Sequence, residues 1–408
     1  MRVAQISTWQ TPCGIAGYTS MLRAALSAAG VATDIVPIDR ARLRYLPVRE
    51  LKQQIDALGE ESSKADVVHI QHEFAFFAGA HGWRTSIDLF NGLLRQLRGK
   101  GCAVAVTFHT EPSFRAHDRD GALQLARQVA LRALWSSTVG RRFMQDSAMA
   151  GVVHTRSSRL ALIRSGLPAG RVHVLSHGTP PFGPAVESED ERRLLKQKLG
   201  FPADARVLSI FGFISAYKGY RTAIRALDKL PAEYHLAVVG APHPFSDDAA
   251  LDDLLGLASR LGVTERVKVT GYLSTAQVNE HLAITDVCLA PYHPQPRLAS
   301  SAALTWALAS GRPVIASRIS AFTELNEDYD CLEMIAPRAP NELAYQVMAL
   351  EANPERVAAL VDNARRYCDD HQWSRVAHQH VALYNRLLGS PVPLHVSDSA
   401  ERLSAVGS

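Results

Sequence analysis

Cysteine and long apolar runs are both scarce in this chain of 408 residues. The five cysteines stand far apart, and none has the Cys-x-x-Cys spacing of a zinc site or a disulfide framework. No stretch approaches the roughly 18 apolar residues that a transmembrane helix needs. The first residues lack the pattern of a signal or transit peptide. These absences predict a cytoplasmic protein with neither a membrane span nor a disulfide scaffold.

The charge is unevenly distributed along the chain. Residues 1–185 carry 22 basic and 13 acidic residues, and the remainder carries 22 basic and 27 acidic residues. The formal net charge of the whole chain is only +4. Between Pro112 and Val172 there are ten arginines and three acidic residues. This bias is compatible with an ordinary solvated surface, or with a face for a phospholipid headgroup, a pyrophosphate or nucleic acid. Nucleic acid is disfavoured, because no recognised nucleic-acid motif accompanies the charge.

Short β-branched runs alternate with amphipathic helical patterns along the chain. A hydrophobic fraction of 47% and about 150 residues per domain favour two or three globular domains. The pattern predicts twelve strands, at 2–7, 33–37, 67–71, 103–109, 151–155, 172–176, 206–211, 235–240, 267–271, 287–291, 313–317 and 332–335. Such alternation is typical of parallel sheets covered on both faces. The sequence therefore predicts two similar α/β domains, joined within the Pro- and Gly-rich segment 178–189.

A glycine-bearing turn follows the first predicted strand. Gly14 and Gly17 stand at the start of a helical pattern, where backbone N–H groups can approach a phosphate. The spacing is not Gly-x-Gly-x-x-Gly, and no acidic residue ends a clear second strand to bind a ribose. A dinucleotide-dependent oxidoreductase is therefore a poor fit.

Polar residues follow two other predicted strands of the first half. Gln71, His72 and Glu73 end the third strand, and His109 ends the fourth. Ligands of open parallel sheets bind beyond the carboxyl ends of the strands. We expect these residues to contact a polar substrate such as a sugar, although each histidine could instead make a structural hydrogen bond.

Two segments of the second half suit an anionic ligand. Lys218 stands just before a predicted helix, where its ammonium and the helix dipole would both favour a phosphate. Ser300 and Ser301 open a helix rich in small residues, whose amides are accessible to an anion. Close helix packing is the alternative explanation for the small residues. Asp118 and Asp120 form an Asp-x-Asp triplet, but this pattern is common by chance, and no metal site is predicted.

Three motifs in this order resemble the GT-B-fold glycosyltransferases, in particular the retaining family 4. They are Gly212-Phe213-Ile214-Ser215-Ala216-Tyr217-Lys218-Gly219, the segment 283–292, and Gly311-Arg312-Pro313-Val314-Ile315-Ala316-Ser317. The resemblance implies an acceptor-binding domain at 1–180, a nucleotide-sugar domain at 181–370 and a helix at 371–390 that returns to the first domain. Residues 391–408 are predicted to be a mobile tail.

The resemblance also assigns roles to individual residues. Gly14 and Gly17 match the loop that approaches the donor phosphates, and Lys218 matches the lysine on the pyrophosphate. Ser300 and Ser301 stand where backbone amides meet the donor, and His109 matches the histidine near the reacting sugar. The implied reaction is metal- and cofactor-independent, and retains the anomeric configuration. It transfers a hexose from a GDP- or UDP-sugar to an acceptor hydroxyl. The arginine-rich stretch of the first half suggests a lipid-linked glycan or polysaccharide precursor at the cytoplasmic face of an anionic membrane, and soluble acceptors remain open.

The sequence departs from the family pattern at three positions. Phe213 stands where the family usually has an arginine, and Leu298 and Trp306 replace two glutamates spaced eight residues apart. A cationic phosphate ligand and two acids are therefore absent from their usual places. The alternative interpretation is a catalytically silent GT-B protein that serves as the partner or scaffold of a transferase.

Overall fold

The structure is a computed structural model and describes residues 1–78, 80–112, 122–183, 188–243, 249–295 and 300–389. Within these ranges the chain forms two parallel sheets of six strands each. The first sheet contains β1 (Arg2–Ser7), β2 (Ala32–Pro37), β3 (Val67–His72), β4 (Ala103–Phe108), β5 (Met149–Val153) and β6 (Val172–Val174). The second contains β7 (Arg206–Phe211), β8 (Tyr234–Val239), β9 (Val267–Val269), β10 (Val287–Ala290), β11 (Val314–Ser317) and β12 (Glu333–Ile335).

Helices cover both faces of the two sheets. Those of the first half are α1 (Gly14–Ala28), α2 (Arg40–Leu43), α3 (Val48–Ser62), α4 (Phe74–Ala78), α5 (Trp83–Gly99), α6 (Ala122–Trp135), α7 (Arg141–Gln145) and α8 (Arg156–Arg164). Those of the second half are α9 (Glu189–Lys198), α10 (Tyr220–Leu227), α11 (Ala249–Arg260), α12 (Thr275–Ala283), α13 (Ala302–Ala309), α14 (Ser320–Tyr329), α15 (Pro340–Glu351), α16 (Pro354–Asp370) and α17 (Trp373–Leu387). The predicted α/β architecture of two doubly wound parallel sheets is confirmed.

The strand orders are β2-β1-β3-β4-β5-β6 and β12-β11-β10-β7-β8-β9. The second order is the 3-2-1-4-5-6 arrangement of nucleotide-binding folds, with its switch point between β7 and β10. Strands β3 and β4 are buried along their whole length, as expected of a parallel sheet with helices on both faces. In both sheets the carboxyl ends of the strands define the edge where a ligand would bind.

Local capping explains one difference from the predicted boundaries. Strand β5 ends at Val153 rather than residue 155, because the Thr155 side chain accepts a hydrogen bond from Ser158 N and caps α8. Helix α1 begins at Gly14 itself. The glycine turn is therefore the first turn of a helix rather than a loop before it.

The chain passes between the domains twice, and the two passages lie side by side. Thr179 N donates to His371 O at 2.9 Å, and Thr179 Oγ1 donates to Cys368 O at 3.1 Å. A Cβ at Gly178 would collide with the Trp373 indole, so only glycine fits at this crossing. Beyond it, α17 packs against α1 and joins the core of the first domain.

Candidate active site

Lys218 is a buried cation of the second domain and lies in a 3-10 turn (Ala216–Lys218) between β7 and α10, whereas the buried Arg192 and Lys196 both pair with Asp286. It is only 6% exposed, and its Nζ donates to Phe211 O at 3.2 Å. Its ammonium also lies 5.7 Å from the centre of the Tyr292 ring. No ion pair of Lys218 is found among the residues that the structure describes. Because burial disfavours the charged form, the pKa of Lys218 is lowered to about 7.

Two glycines make room for this lysine. Gly212 has φ +107°, and a Cβ there would collide with Lys218 Nζ. Gly219 has φ +76°, and a Cβ there would collide with the carbonyl oxygen of Pro291. Both backbones are in the left-handed region that favours glycine. Gly212 and Gly219 are therefore needed for β7, α10 and the segment after β10 to approach one another closely around Lys218.

The start of α13 lies beside the same strand ends. Ser301 caps this helix by accepting a hydrogen bond from Leu304 N at 3.2 Å, and its Oγ lies 3.1 Å from Tyr292 Oη. Ala303 would contact a Cβ built at Gly212. The structure thus brings together Lys218 and the Ser300–Ser301 segment, and the first amides of α13 have no partner within the helix.

The glycines of the first domain stand at the start of α1. A Cβ at either Gly14 or Gly17 would meet no atom within 4 Å, so open space lies beside both. The amide of Gly17 donates to Cys13 O at 3.1 Å, which is the first hydrogen bond within the helix. This corrects one predicted role: the Gly17 N–H is already occupied and is not available to a phosphate.

His109 directly follows β4 and is partly exposed. Its Nε2 lies 2.8 Å from Gln71 Oε1, and the Gln71 amide donates to Gln5 Oε1 at 3.4 Å. A carbonyl oxygen can only accept, so His109 donates from Nε2 and keeps a lone pair on Nδ1. Burial, together with neighbouring histidines, holds the pKa of His109 well below its usual value. The side chain is thus a neutral, oriented imidazole at the carboxyl end of the sheet.

The predicted sugar contacts of the third strand are not where the sequence analysis put them. Gln71 and His72 are fully buried, and neither reaches the cleft surface. Gln71 instead holds His109. His72 is enclosed by aromatic rings, with its centroid 4.3 Å from that of Phe90 and 5.1 Å from that of Phe108. Burial lowers the pKa of His72 to about 3, so it is a neutral core residue.

Glu73 also has a structural role. One of its carboxylate oxygens accepts from Ala75 N at 3.0 Å, and the other accepts from the hydroxyl of Thr110. These bonds stabilise the turn that leads into α4 and give Glu73 a structural role there. Its contact with a sugar stays a prediction.

Three cleft residues were missed by the sequence analysis. His154 and His177 follow β5 and β6, and Glu324 reaches across from α14. Glu324 accepts from Arg156 N at 2.5 Å and from Ser157 N at 2.9 Å, and so joins the two domains at the start of α8. The strand-end rule that selected His109 could have selected His154. The contact of Glu324 spans 168 residues and leaves no local signal.

The positions that depart from the family pattern have different outcomes. Leu298, Asp118 and Asp120 lie outside the described residues. Trp306 is partly buried, packs against Phe211 at a centroid distance of 5.8 Å, and lines an apolar cavity of about 510 Å³ between the domains. Phe213 packs against His243, with 4.8 Å between the ring centroids.

In the described part of the chain no cluster of three or more potential ligands could hold a metal ion. No helix among those described is long and apolar enough to cross a membrane.

Comparisons with known proteins agree with this geometry. Residues 191–367 match the family model for glycosyl transferases group 1. A D-inositol 3-phosphate glycosyltransferase of Xylanimonas cellulosilytica is 25% identical over 320 residues, which cover 76% of this chain and 70% of that protein. The sucrose-phosphate synthase of Thermosynechococcus elongatus has a TM-score of 0.71 at 20% identity, covering 95% of this chain and 99% of that one. HepE of Anabaena with UDP-glucose has a TM-score of 0.70 at 16% identity, covering 93% and 98%.

The family match covers the domain that carries Lys218 and α13, and the structural likeness covers both domains. Together they show the GT-B fold, and they show that the second domain, over residues 191–367, is similar to glycosyl transferases group 1.

Proposed function

We propose that this enzyme transfers a hexose from a UDP- or GDP-sugar to a hydroxyl of a lipid-linked glycan or polysaccharide precursor, with retention of configuration. The observation that carries the proposal is Lys218, a buried ammonium beside the start of α13 whose polar partner among the described residues is the carbonyl of Phe211. A bound diphosphate would give this buried ammonium the anionic partner that it lacks among the described residues. Support for the base comes from the structural neighbour HepE, which was solved with UDP and with UDP-glucose.

The leaving group determines what this site has to provide. In the proposed reaction the bond between the anomeric carbon and the diphosphate oxygen breaks, and a bond from that carbon to the acceptor oxygen forms. The acceptor proton passes to the departing phosphate. Negative charge grows on the diphosphate, and Lys218 with the first amides of α13 stabilises it there. Because these groups supply positive charge, the proposal assigns no metal to the reaction.

His109 orients the reacting sugar in this proposal. Its Nε2–H is held by Gln71, so its free Nδ1 lone pair can accept from a sugar hydroxyl. The family resemblance favours attack from the same face as the leaving group, assisted by the donor phosphate, which retains the configuration. His109 therefore positions the sugar and forms no covalent bond to it.

The proposed acceptor is presented at an anionic membrane surface on the cytoplasmic side. Helix α6 exposes Leu123, Leu125 and Val129, at 86%, 48% and 60% of their surfaces. Arg127 and Arg132 lie on the same helix, within the arginine-rich segment of the sequence. A helix with exposed apolar residues and arginines suits the headgroup region of anionic lipids. A phosphorylated polyol is the competing acceptor, since the named relatives act on D-inositol 3-phosphate.

The test is a thermal-shift screen of the purified protein against UDP, GDP and their common hexose conjugates, followed by assays of donor hydrolysis and transfer. We expect one base to raise the melting temperature and the matching sugar nucleotide to be hydrolysed slowly without acceptor. Transfer to lipid-linked oligosaccharide, but not to D-inositol 3-phosphate, would support the lipid acceptor. A protein that binds no sugar nucleotide and hydrolyses none would favour the scaffold interpretation instead.

A further inference from the structure

The floor of the cleft contains a polar cavity of about 80 Å³. His154 and His177 line it from the first domain, and Ser300, Ser301 and Thr305 line it from the second. Ser301 also caps α13, so this cavity adjoins the proposed phosphate site. A ligand with its diphosphate at α13 would place the group attached to that diphosphate over this cavity.

His154 is a buried polar side chain with one unused acceptor. It is 5% exposed, and its Nδ1 lies 2.9 Å from the carbonyl oxygen of Leu175. Since the carbonyl can only accept, Nδ1 carries the proton and Nε2 carries the lone pair. That Nε2 is buried and has no hydrogen-bond partner among the described residues. A buried acceptor without a partner is costly, and His154 differs from His72 and His380 in lining the cavity, where a ligand could supply the donor.

His177 has the same arrangement on the neighbouring strand end. Its Nδ1 lies 2.8 Å from Gly178 O, which again leaves the lone pair on Nε2. The His154 and His177 rings are 5.6 Å apart, and each lies 5.2 Å from the Tyr18 ring, measured between centroids. Tyr18 thus packs against both imidazoles and limits their rotation.

The protonation of these rings selects the kind of ligand. Burial lowers the pKa of His154 to about 4, and burial and the neighbouring His154 lower that of His177 to about 3. Both are neutral near pH 7 and offer lone pairs. Lone pairs accept from hydroxyls and repel phosphate oxygens. Glu324 also lines the cavity, but its oxygens already accept from Arg156 N and Ser157 N.

We propose that His154 and His177 form a hydroxyl-binding subsite, which accepts hydrogen bonds from adjacent hydroxyls of a hexose in the cleft. The inference rests on the proposed function. It adds a subsite for the neutral sugar to the proposed subsite for the diphosphate. The hexose belongs either to the donor or to the acceptor, and the two cases differ in their kinetics.

The test uses His154→Asn and His177→Asn in the full chain. Asparagine Nδ2 takes the place of histidine Nδ1, so the inward hydrogen bond is kept while the Nε2 acceptor is lost. The matched control is His380→Asn, because His380 is buried, donates from Nδ1 to Val376 O at 2.8 Å and also has an unpartnered Nε2, but does not line the cavity. Equal melting temperatures would show that the variants fold.

Calorimetric titrations compare UDP with UDP-glucose, and GDP with GDP-mannose. If the donor sugar is bound here, both cavity variants bind the sugar nucleotide about three- to tenfold more weakly and the free nucleotide unchanged. If the acceptor sugar is bound here, donor affinity and hydrolysis are unchanged and the acceptor KM rises by a similar factor. Equal constants in wild type, both variants and the control would overturn the inference.

A separate measurement keeps the inference testable if the wild type binds no nucleotide. Titration of the ¹⁵N-histidine-labelled protein with methyl α-D-glucopyranoside and methyl α-D-mannopyranoside should shift the Nε2 resonance of His154, but not that of His380. Failure of nucleotide binding would then reject the proposed function, and an unmoved His154 resonance would reject the subsite.

Discussion

Both domains carry a six-stranded parallel sheet, yet different chemistry follows the strands of each. In the second domain a buried ammonium, Lys218, has only a carbonyl partner. In the first domain the strand ends carry neutral imidazoles that donate inward, such as His109, His154 and His177. Burial lowers the pKa of both kinds of group. The lysine can regain its charge beside an anion, whereas the imidazoles remain acceptors for hydroxyls. In the proposed function, one fold thus provides a diphosphate side, at Lys218, and a sugar side, at the imidazoles.

The largest expected effect on ligand binding comes from Lys218→Met, on the proposed diphosphate side. Loss of a charge-assisted hydrogen bond should weaken donor binding by on the order of 1–3 kcal/mol. Calorimetry at pH 7 measures the change. The matched control is Lys268→Met, because Lys268 likewise donates to a carbonyl, Leu199 O at 2.6 Å, and lies near an aromatic ring, but is exposed. In wild type the donor affinity should also fall as pH rises above about 7, since Lys218 then loses its proton. Unchanged affinity in Lys218→Met would remove this residue from the site.

The next effect is on stability in acid and concerns the imidazole side. His72 and His177 have a pKa near 3 in the folded state, and His154 and His380 near 4, against an ordinary 6.5. Below pH 6.5 the unfolded chain binds protons that the folded chain excludes. The free energy of unfolding should therefore fall between pH 6.5 and 4, by about 1.4 kcal/mol per pH unit for each histidine.

Urea titrations at several pH values measure this slope. His72→Leu is the sharpest variant, because His72 is enclosed by aromatic rings and both of its nitrogens lack partners in the described chain. In this variant the free energy of unfolding should fall less steeply with decreasing pH, by about the contribution of one histidine, and should change little at pH 7. An unaltered slope would show that His72 is not held neutral by the fold.

The smallest effect concerns the charge difference between the two halves. Residues 1–185 carry an excess of nine basic residues, and the remainder an excess of five acidic ones. Arg127→Glu on α6 should lower binding to vesicles with anionic lipid by about 1–2 kcal/mol at low salt. Arg193→Glu on α9, also exposed, is the control in the second domain. Vesicle flotation measures both, and equal binding to neutral vesicles would contradict the proposed membrane contact.

Much of the fold could be predicted from the sequence because strand and helix periodicities are local. All twelve predicted strands occur, and most boundaries differ by no more than two residues. Helix α9 begins with a complete capping box of Ser188 and Glu191, which is likewise a local feature of the sequence. The site was less predictable. His72 and His109 both stand at strand ends, yet one is surrounded by aromatic rings and the other reaches the cleft. That difference depends on packing between distant segments, such as the Tyr384–His69 contact across 315 residues, which no local pattern records.

The paired crossings at Thr179 and His371 constrain how the two halves can move. Because the incoming and outgoing chains are hydrogen-bonded to each other, they cannot separate independently. If one half rotates relative to the other, we expect these hydrogen bonds to keep Thr179 and His371 together and to place the pivot near them. Residues close to this crossing, such as Gly178 and Trp373, should then move least.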